Sequence, residues 1–214
     1  MKGLIAKDFL NLKRYSFTLI LILLLYGAIF LPMENGGFAA VATVLCTMMV
    51  ITTLSYDEMA KWDKYVLTMP ITRQQLVLGK YAVMLILAAL GCLVGCVAIG
   101  IQGIIRGQWD PGALFMQAGL FCSASLVLGS ILLPLLYKFG AEKGRLLLLA
   151  VVLIPTVLSL GWRYIGEALG LPAPDLAALD RWFQIALPLL PLAVLAIVEL
   201  SYALSVRIMS KKEF

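Results

Sequence analysis

Histidine is missing from this chain altogether, and that single absence removes much of the usual chemistry. A serine–histidine nucleophile pair and a HExxH zinc site both need an imidazole, so neither can be built here. No GxxxxGK[ST] phosphate loop occurs either, so the chain has no ATP-hydrolysing site of that kind. Cysteine is scarce. Cys46, Cys92, Cys96 and Cys122 all fall inside apolar runs, where a free thiol behaves as a small hydrophobe, and none has the spacing of a disulfide framework. Cys92 and Cys96 share a helix face, but with no histidine and no second pair nearby no metal site is expected. No cofactor is expected on the chain itself.

Charge is the other scarcity. Only 14% of the residues are charged against 62% hydrophobic, with a mean hydropathy of +0.99, where a soluble domain is roughly 45–50% apolar. An all-α, polytopic membrane protein is expected, with no room for a separate catalytic module. At 214 residues, and with ~20 residues per spanning helix, the length allows about six spans and short loops. The net charge of +5 does not indicate nucleic acid, because the basic residues sit at span ends rather than in one patch. Anionic lipid and membrane topology account for them better.

What the chain does have is a charged island between two long apolar segments, from Ser55 to Pro70. Ser55 and Glu58 have capping-box spacing, so a short helix is expected over 56–69. Met59, Trp62, Val66 and Met69 recur at helical spacing as one apolar stripe, with Asp57, Lys61 and Lys64 off it. Pro70 would end the helix. Thr72 and Gln75 offer a second capping box for the next one. Two readings of the island stand side by side: an interfacial loop anchored by Trp62 and Tyr65 at the lipid headgroups, or a docking helix for a soluble partner.

The rest of the chain reads as one transmembrane domain, 1–214. Residues 1–15 are basic, and Ile5, Phe9 and Leu12 follow an i, i+4, i+7 pattern, which makes an amphipathic interfacial helix. No small-residue cleavage site follows the next apolar run, which reads as a retained span. Spans are expected at about 16–33, 38–54, 76–105, 112–137, 146–162 and 184–206. The third is longer than one crossing needs and contains Gly91-Cys-Leu-Val-Gly95, a GxxxG match that allows close helix approach. Pro134 should bend the end of the fourth. Residues 163–183 read as a broken interfacial helix and turn.

Orientation follows from the basic residues. Segments 1–15, 55–80, 138–145 and 207–214 hold four, four, three and three of the 17, leaving only Arg106, Arg163 and Arg181 for the other side. By the positive-inside rule both termini and the Ser55 island are cytoplasmic. Glu199 is the one ionisable residue left inside a span, ~12 Å below the cytoplasmic end. An intramembrane carboxylate by default faces a bundle interior or a water-filled cavity. It reads equally as the lining of a transport path or as a structural partner of Ser201, Tyr202 or a neighbouring helix.

The opening Met1-Lys-Gly-Leu-Ile-Ala-Lys-Asp-Phe-Leu-Asn-Leu-Lys-Arg14, the segment from Ser55 to Arg73 and the Gly79-Lys80-Tyr81 that follows resemble ABC-2-type permeases. Within these the likeness is to the permease subunits of phenol-soluble-modulin exporters of Gram-positive bacteria. It is specific in those segments and compositional elsewhere. The resemblance implies a six-helix subunit of the bacterial cell membrane that pairs with a second copy of itself and binds two copies of a cytoplasmic ATPase, where ATP and Mg would be held. It also implies that 1–15 runs along the membrane surface and that 56–69 is a coupling helix engaging a groove on the ATPase. Met59, Trp62, Tyr65 and Val66 would be buried there, with Asp57, Glu58 and Lys61 pairing at the rim. The implied cargo is an amphipathic or antimicrobial-type peptide. Two other function classes stay open: an ion-coupled secondary transporter using Glu199, for which the two halves show no convincing internal repeat, and a membrane scaffold without transport.

Overall fold

The computed structural model describes residues 2–30, 37–66, 68, 70–107, 110–140 and 189–211, together with 143, 150, 153, 154, 157 and 161. Among them the fold is all helical: α1 (Lys2–Phe30), α2 (Gly37–Met59), α3 (Trp62–Val66), α4 (Arg73–Arg106), α5 (Pro111–Phe139) and α6 (Leu190–Lys211). Every helix but the five-residue α3 is long and apolar enough to cross a membrane. Most of the span expected at 146–162, all of the stretch 163–183 and the start of the span expected at 184–206 lie outside the described residues.

Two boundaries differ from the sequence reading. No break separates an interfacial helix from the first span, because α1 continues from Lys2 to Phe30. Residues 4–26 contain neither proline nor glycine, so nothing local interrupts the backbone ladder. At 29 residues α1 is ~43 Å long, more than the ~30 Å of a hydrocarbon core. Its first half packs inward through Leu4, Ile5, Phe9 and Leu12, while most of its second half is exposed.

The second difference is at the island. Ser55 does not cap a helix; it lies inside α2, and its hydroxyl donates to the Ile51 carbonyl at 3.0 Å. That back-bond satisfies the side chain within the helix and removes the reason for a new start. The break comes later, at Ala60–Lys61, where Lys61 takes a left-handed φ of 50°. The helix expected over 56–69 is therefore the last turn of α2, a reversal at Lys61 and the short α3. The second capping box forms as expected: Gln75 N–H donates to Thr72 Oγ1 at 3.2 Å, and Thr72 N–H to Gln75 Oε1 at 3.1 Å. Gly107 in the left-handed region closes α4, and Asp110 with Pro111 opens α5.

The bundle is built on α2 against α4. A Cβ added at Gly91 would stand 2.8 Å from Thr43 Cα, and one at Gly95 2.9 Å from Ala39 Cβ. The GxxxG pair is thus an intramolecular contact with small residues of α2, and the absence of side chains is what lets the two backbones approach. Lower in the bundle Val50, Val77, Met84, Leu132 and Leu133 form a fully buried core.

Proline sets up a link across three helices. Pro134 has no N–H for the carbonyl four residues back, which is that of Ser130. Ser201 Oγ, from α6, donates to that carbonyl. Tyr81 of α4 meets Ser201 Oγ at 2.5 Å and Ser205 Oγ at 2.9 Å. The broken ladder of α5 is thereby repaired by a neighbour, as buried backbone in a membrane helix requires.

Candidate functional site

The α2–α3 reversal forms a protruding tip. Met59 is 82% exposed and Tyr65 61%, and Glu58, Lys61 and Lys64 are exposed around them. Val66 points the other way, 0% exposed in the core beside Leu76 and Val77. The left-handed Lys61 resets the helical phase, so the stripe from Met59 to Val66 that is continuous on paper is split between two faces. Met69 lies outside the described residues.

Beneath the tip four charged side chains close into a ring. Lys80 Nζ lies 2.8 Å from Asp8 Oδ1 and 2.7 Å from Asp57 Oδ2, and Lys7 Nζ lies 2.5 Å from Asp57 Oδ1 and 3.3 Å from Asp8 Oδ1. Acids and bases alternate, and the ring is neutral. Lys80 also donates to Thr53 Oγ1 at 3.1 Å, so all three of its N–H groups are used. Asp8 is 2% exposed, Lys80 4% and Asp57 7%. Burial on this scale is tolerated only because each charge has partners of the opposite sign, and Lys80 the Thr53 hydroxyl besides.

The ring joins three helices, with Lys7 and Asp8 from α1, Asp57 and Thr53 from α2, and Lys80 from α4. It is also tied to α3. Lys7 Nζ sits 4.4 Å from the centroid of Trp62, a cation–π contact, and Tyr65 packs against the same indole at 5.9 Å. On the far side of the tip Arg73 Nη1 donates to the carbonyls of Met209 at 2.7 Å and Ser210 at 3.0 Å, closing the last turn of α6 with a cation where the helix dipole favours one. Gly140, with φ of 84°, lies so close to Glu58 that a Cβ there would stand 2.6 Å from the carboxylate. The cavity beside the ring is about 30 Å³, lined by Leu54, Leu76, Leu136 and Gly140 among others, room for water and far too small for cargo.

Of the residues picked out in the sequence, Glu58, Met59, Lys61 and Tyr65 face outward. Asp57 and Val66 face inward, and Trp62 is half-buried under Lys7. Glu199 lies on the exposed face of α6, away from the buried Ser201 and Ser205, and no hydrogen bond or ion pair to it occurs among the described residues. No cluster of three metal-ligating side chains occurs among them either.

Lys7, Asp8, Thr53 and Lys80 were not singled out by sequence. Their signal was present, though: Asp8 stands in line with Leu4 and Leu12, and Lys80 with Leu76, Val77 and Met84, each a charge on an apolar face.

A family model described as ABC-2 family transporter protein matches residues 3–210. A probable ABC transporter permease protein NosY from Stutzerimonas stutzeri is 30% identical over 119 residues, an alignment covering 52% of this chain and 42% of that protein. The chain thus spans less than half the length of this curated relative. With the match running through nearly every described helix, the chain belongs to the ABC-2 family of transporter proteins.

Proposed function

We propose that this chain is the permease subunit of an ATP-driven transporter, powered by a separate cytoplasmic ATPase that docks on the tip formed by α2 and α3. The observation that carries the reading is the contrast between the tip and its base. A large thioether and an aromatic ring are exposed in Met59 and Tyr65, with Glu58, Lys61 and Lys64 exposed around them, above a fully paired charge ring. An exposed aromatic with a polar rim is the composition of an interface anchor. Asp57 is engaged internally, which leaves Glu58, Lys61 and Lys64 as outward charges of both signs among the side chains described. The groove that receives them is therefore expected to have an apolar floor and a polar rim.

Family membership supports a transport role and the positive-inside distribution supports cytoplasmic termini and a cytoplasmic tip. Two copies of the chain around one pathway, with two ATPases holding Mg and ATP, complete the assembly we propose, in a bacterial cell membrane. An amphipathic or antimicrobial-type peptide is the proposed cargo, on the resemblance noted above. Glu199, which an ion-coupled carrier would use, stands on the outer face of α6 and does not favour that alternative.

The test is co-purification of the ATPase with the permease from detergent-solubilised membranes. Met59→Ala with Tyr65→Ala should reduce recovery of the ATPase at least tenfold, as loss of about 1.4 kcal/mol or more at an interface requires. Full recovery of the ATPase with the double variant would overturn the docking reading.

A further inference from the structure

We infer that Trp62 and the Lys7–Asp8–Asp57–Lys80 ring are the joint that carries a displacement of the tip into α1, and are not part of the docking surface. This rests on the docking reading above. Among the described residues a path from α3 to α1 runs from the Trp62 indole across 4.4 Å to Lys7 Nζ, and from Lys7 to Asp57 and Asp8. From there Lys80 closes the path onto α4.

Two physical features suit this set to transmission. Every ring oxygen named is held by an ammonium at 3.3 Å or less, and charge-assisted bonds of this kind are short and directional. Opening one edge of the ring takes one of its two partners from each of two charges in a poorly solvated place, which opposes separate movement of its members. What lies beyond the ring is the opposite: the second half of α1 is mostly exposed and lightly packed among the described residues. A helix gripped hard at one end and loosely held at the other turns as a lever. Lys80 is a positioning residue in this scheme, since it uses all three donors within the protein and presents nothing outward.

The assignment separates residues that the sequence grouped together. Tyr65 belongs to docking and Trp62 to transmission, although they are three apart and in ring contact. The experiment uses the full permease–ATPase complex in liposomes, with Cys46, Cys92, Cys96 and Cys122 replaced by serine and nitroxide labels at Leu24 of α1 and Phe115 of α5. Both sites are exposed, and α5 contributes no member of the ring. The label–label distance is compared with ADP and with a non-hydrolysable ATP analogue.

The parent complex should show a nucleotide-dependent change in that distance. Trp62→Ala and Lys80→Met should keep the ATPase bound yet lose at least half of the change, while Trp62→Phe and Lys80→Arg, which preserve an aromatic face and a buried cation, should restore it. Trp62→Ala lies at the rim of the ring and does not unpair a charge, so it serves even where Lys80→Met fails to fold. A full change with Trp62→Ala would overturn the inference, as would the absence of any change in the parent. Loss of ATPase binding with Trp62→Ala alone would overturn it too, by making Trp62 a docking anchor. That last result leaves the docking reading intact, whereas persistence of binding in the Met59 and Tyr65 double variant defeats the docking reading itself.

Discussion

Replacing Lys80 by methionine keeps all but the last atom of the side chain's length and removes its charge, and the structure sets the size of the effect. Lys80 contacts Asp8 at 2.8 Å, Asp57 at 2.7 Å and Thr53 at 3.1 Å. Without it two buried carboxylates depend on Lys7 alone, which lies 2.5 Å from Asp57 but 3.3 Å from Asp8. Asp8 is the side chain left worst off. Removing one partner of a buried pair costs about 3–5 kcal/mol, because the other charge stays desolvated. Neutralising its partner as well, in Lys80→Met with Asp8→Asn, leaves the Lys7–Asp57 pair whole and the site without net charge. The double variant should therefore regain about half or more of the loss, roughly 1.5–2.5 kcal/mol, and the coupling energy in a double-mutant cycle should exceed that by the cost of Asp8→Asn alone. The assay is reversible unfolding of the purified permease in mixed micelles, followed by circular dichroism. A Lys80→Met variant as stable as the parent would refute the reasoning. A double variant that is less stable than either single variant would refute it as well, since the ring would then not act as a balanced unit.

Other consequences follow from the packing. Gly91→Val should destabilise the bundle by ~3 kcal/mol or more, since its Cβ would meet Thr43 Cα and Ala42 O, which are backbone and cannot rotate away; Gly3→Ala, in α1 with open space around it, should cost nothing in the same unfolding assay and stabilise slightly if it changes anything. Ser201→Ala removes the donor to the carbonyl that Pro134 frees and a partner of Tyr81, and should cost ~1–2 kcal/mol by unfolding midpoint, with Ser205→Ala costing less. Glu199→Gln should leave ATP-dependent uptake of a labelled amphipathic peptide into inverted vesicles close to that of the parent. Uptake driven by a pH gradient alone, and abolished by that change, would instead support an ion-coupled carrier.

How much of this was open to a reader of the sequence depends on the range over which each feature is set. Among the described residues, apolar runs of span length, the Thr72–Gln75 cap and the small residues of Gly91–Gly95 are local, and each appears where its own residues place it. The protein class follows from composition, because 62% hydrophobic residues cannot be kept from water in a small soluble domain. The tip was legible as a charged interruption, but not its shape. Ser55 and Glu58 have the spacing of a cap, and only the uninterrupted packing of α2 into the bundle decides that Ser55 bonds backward to Ile51 instead. The partition of the island was decided in the same way. Asp57 and Lys61 look alike as solvated charges, yet Lys7 and Lys80 arrive from 50 and 23 residues away to bury the first, while the left-handed turn presents the second to solvent. Sequence determined which residues carry charge on apolar faces. Only the tertiary structure decided which of them meet, because an ion pair inside a bundle is fixed by the crossing of helices and not by spacing along any one of them.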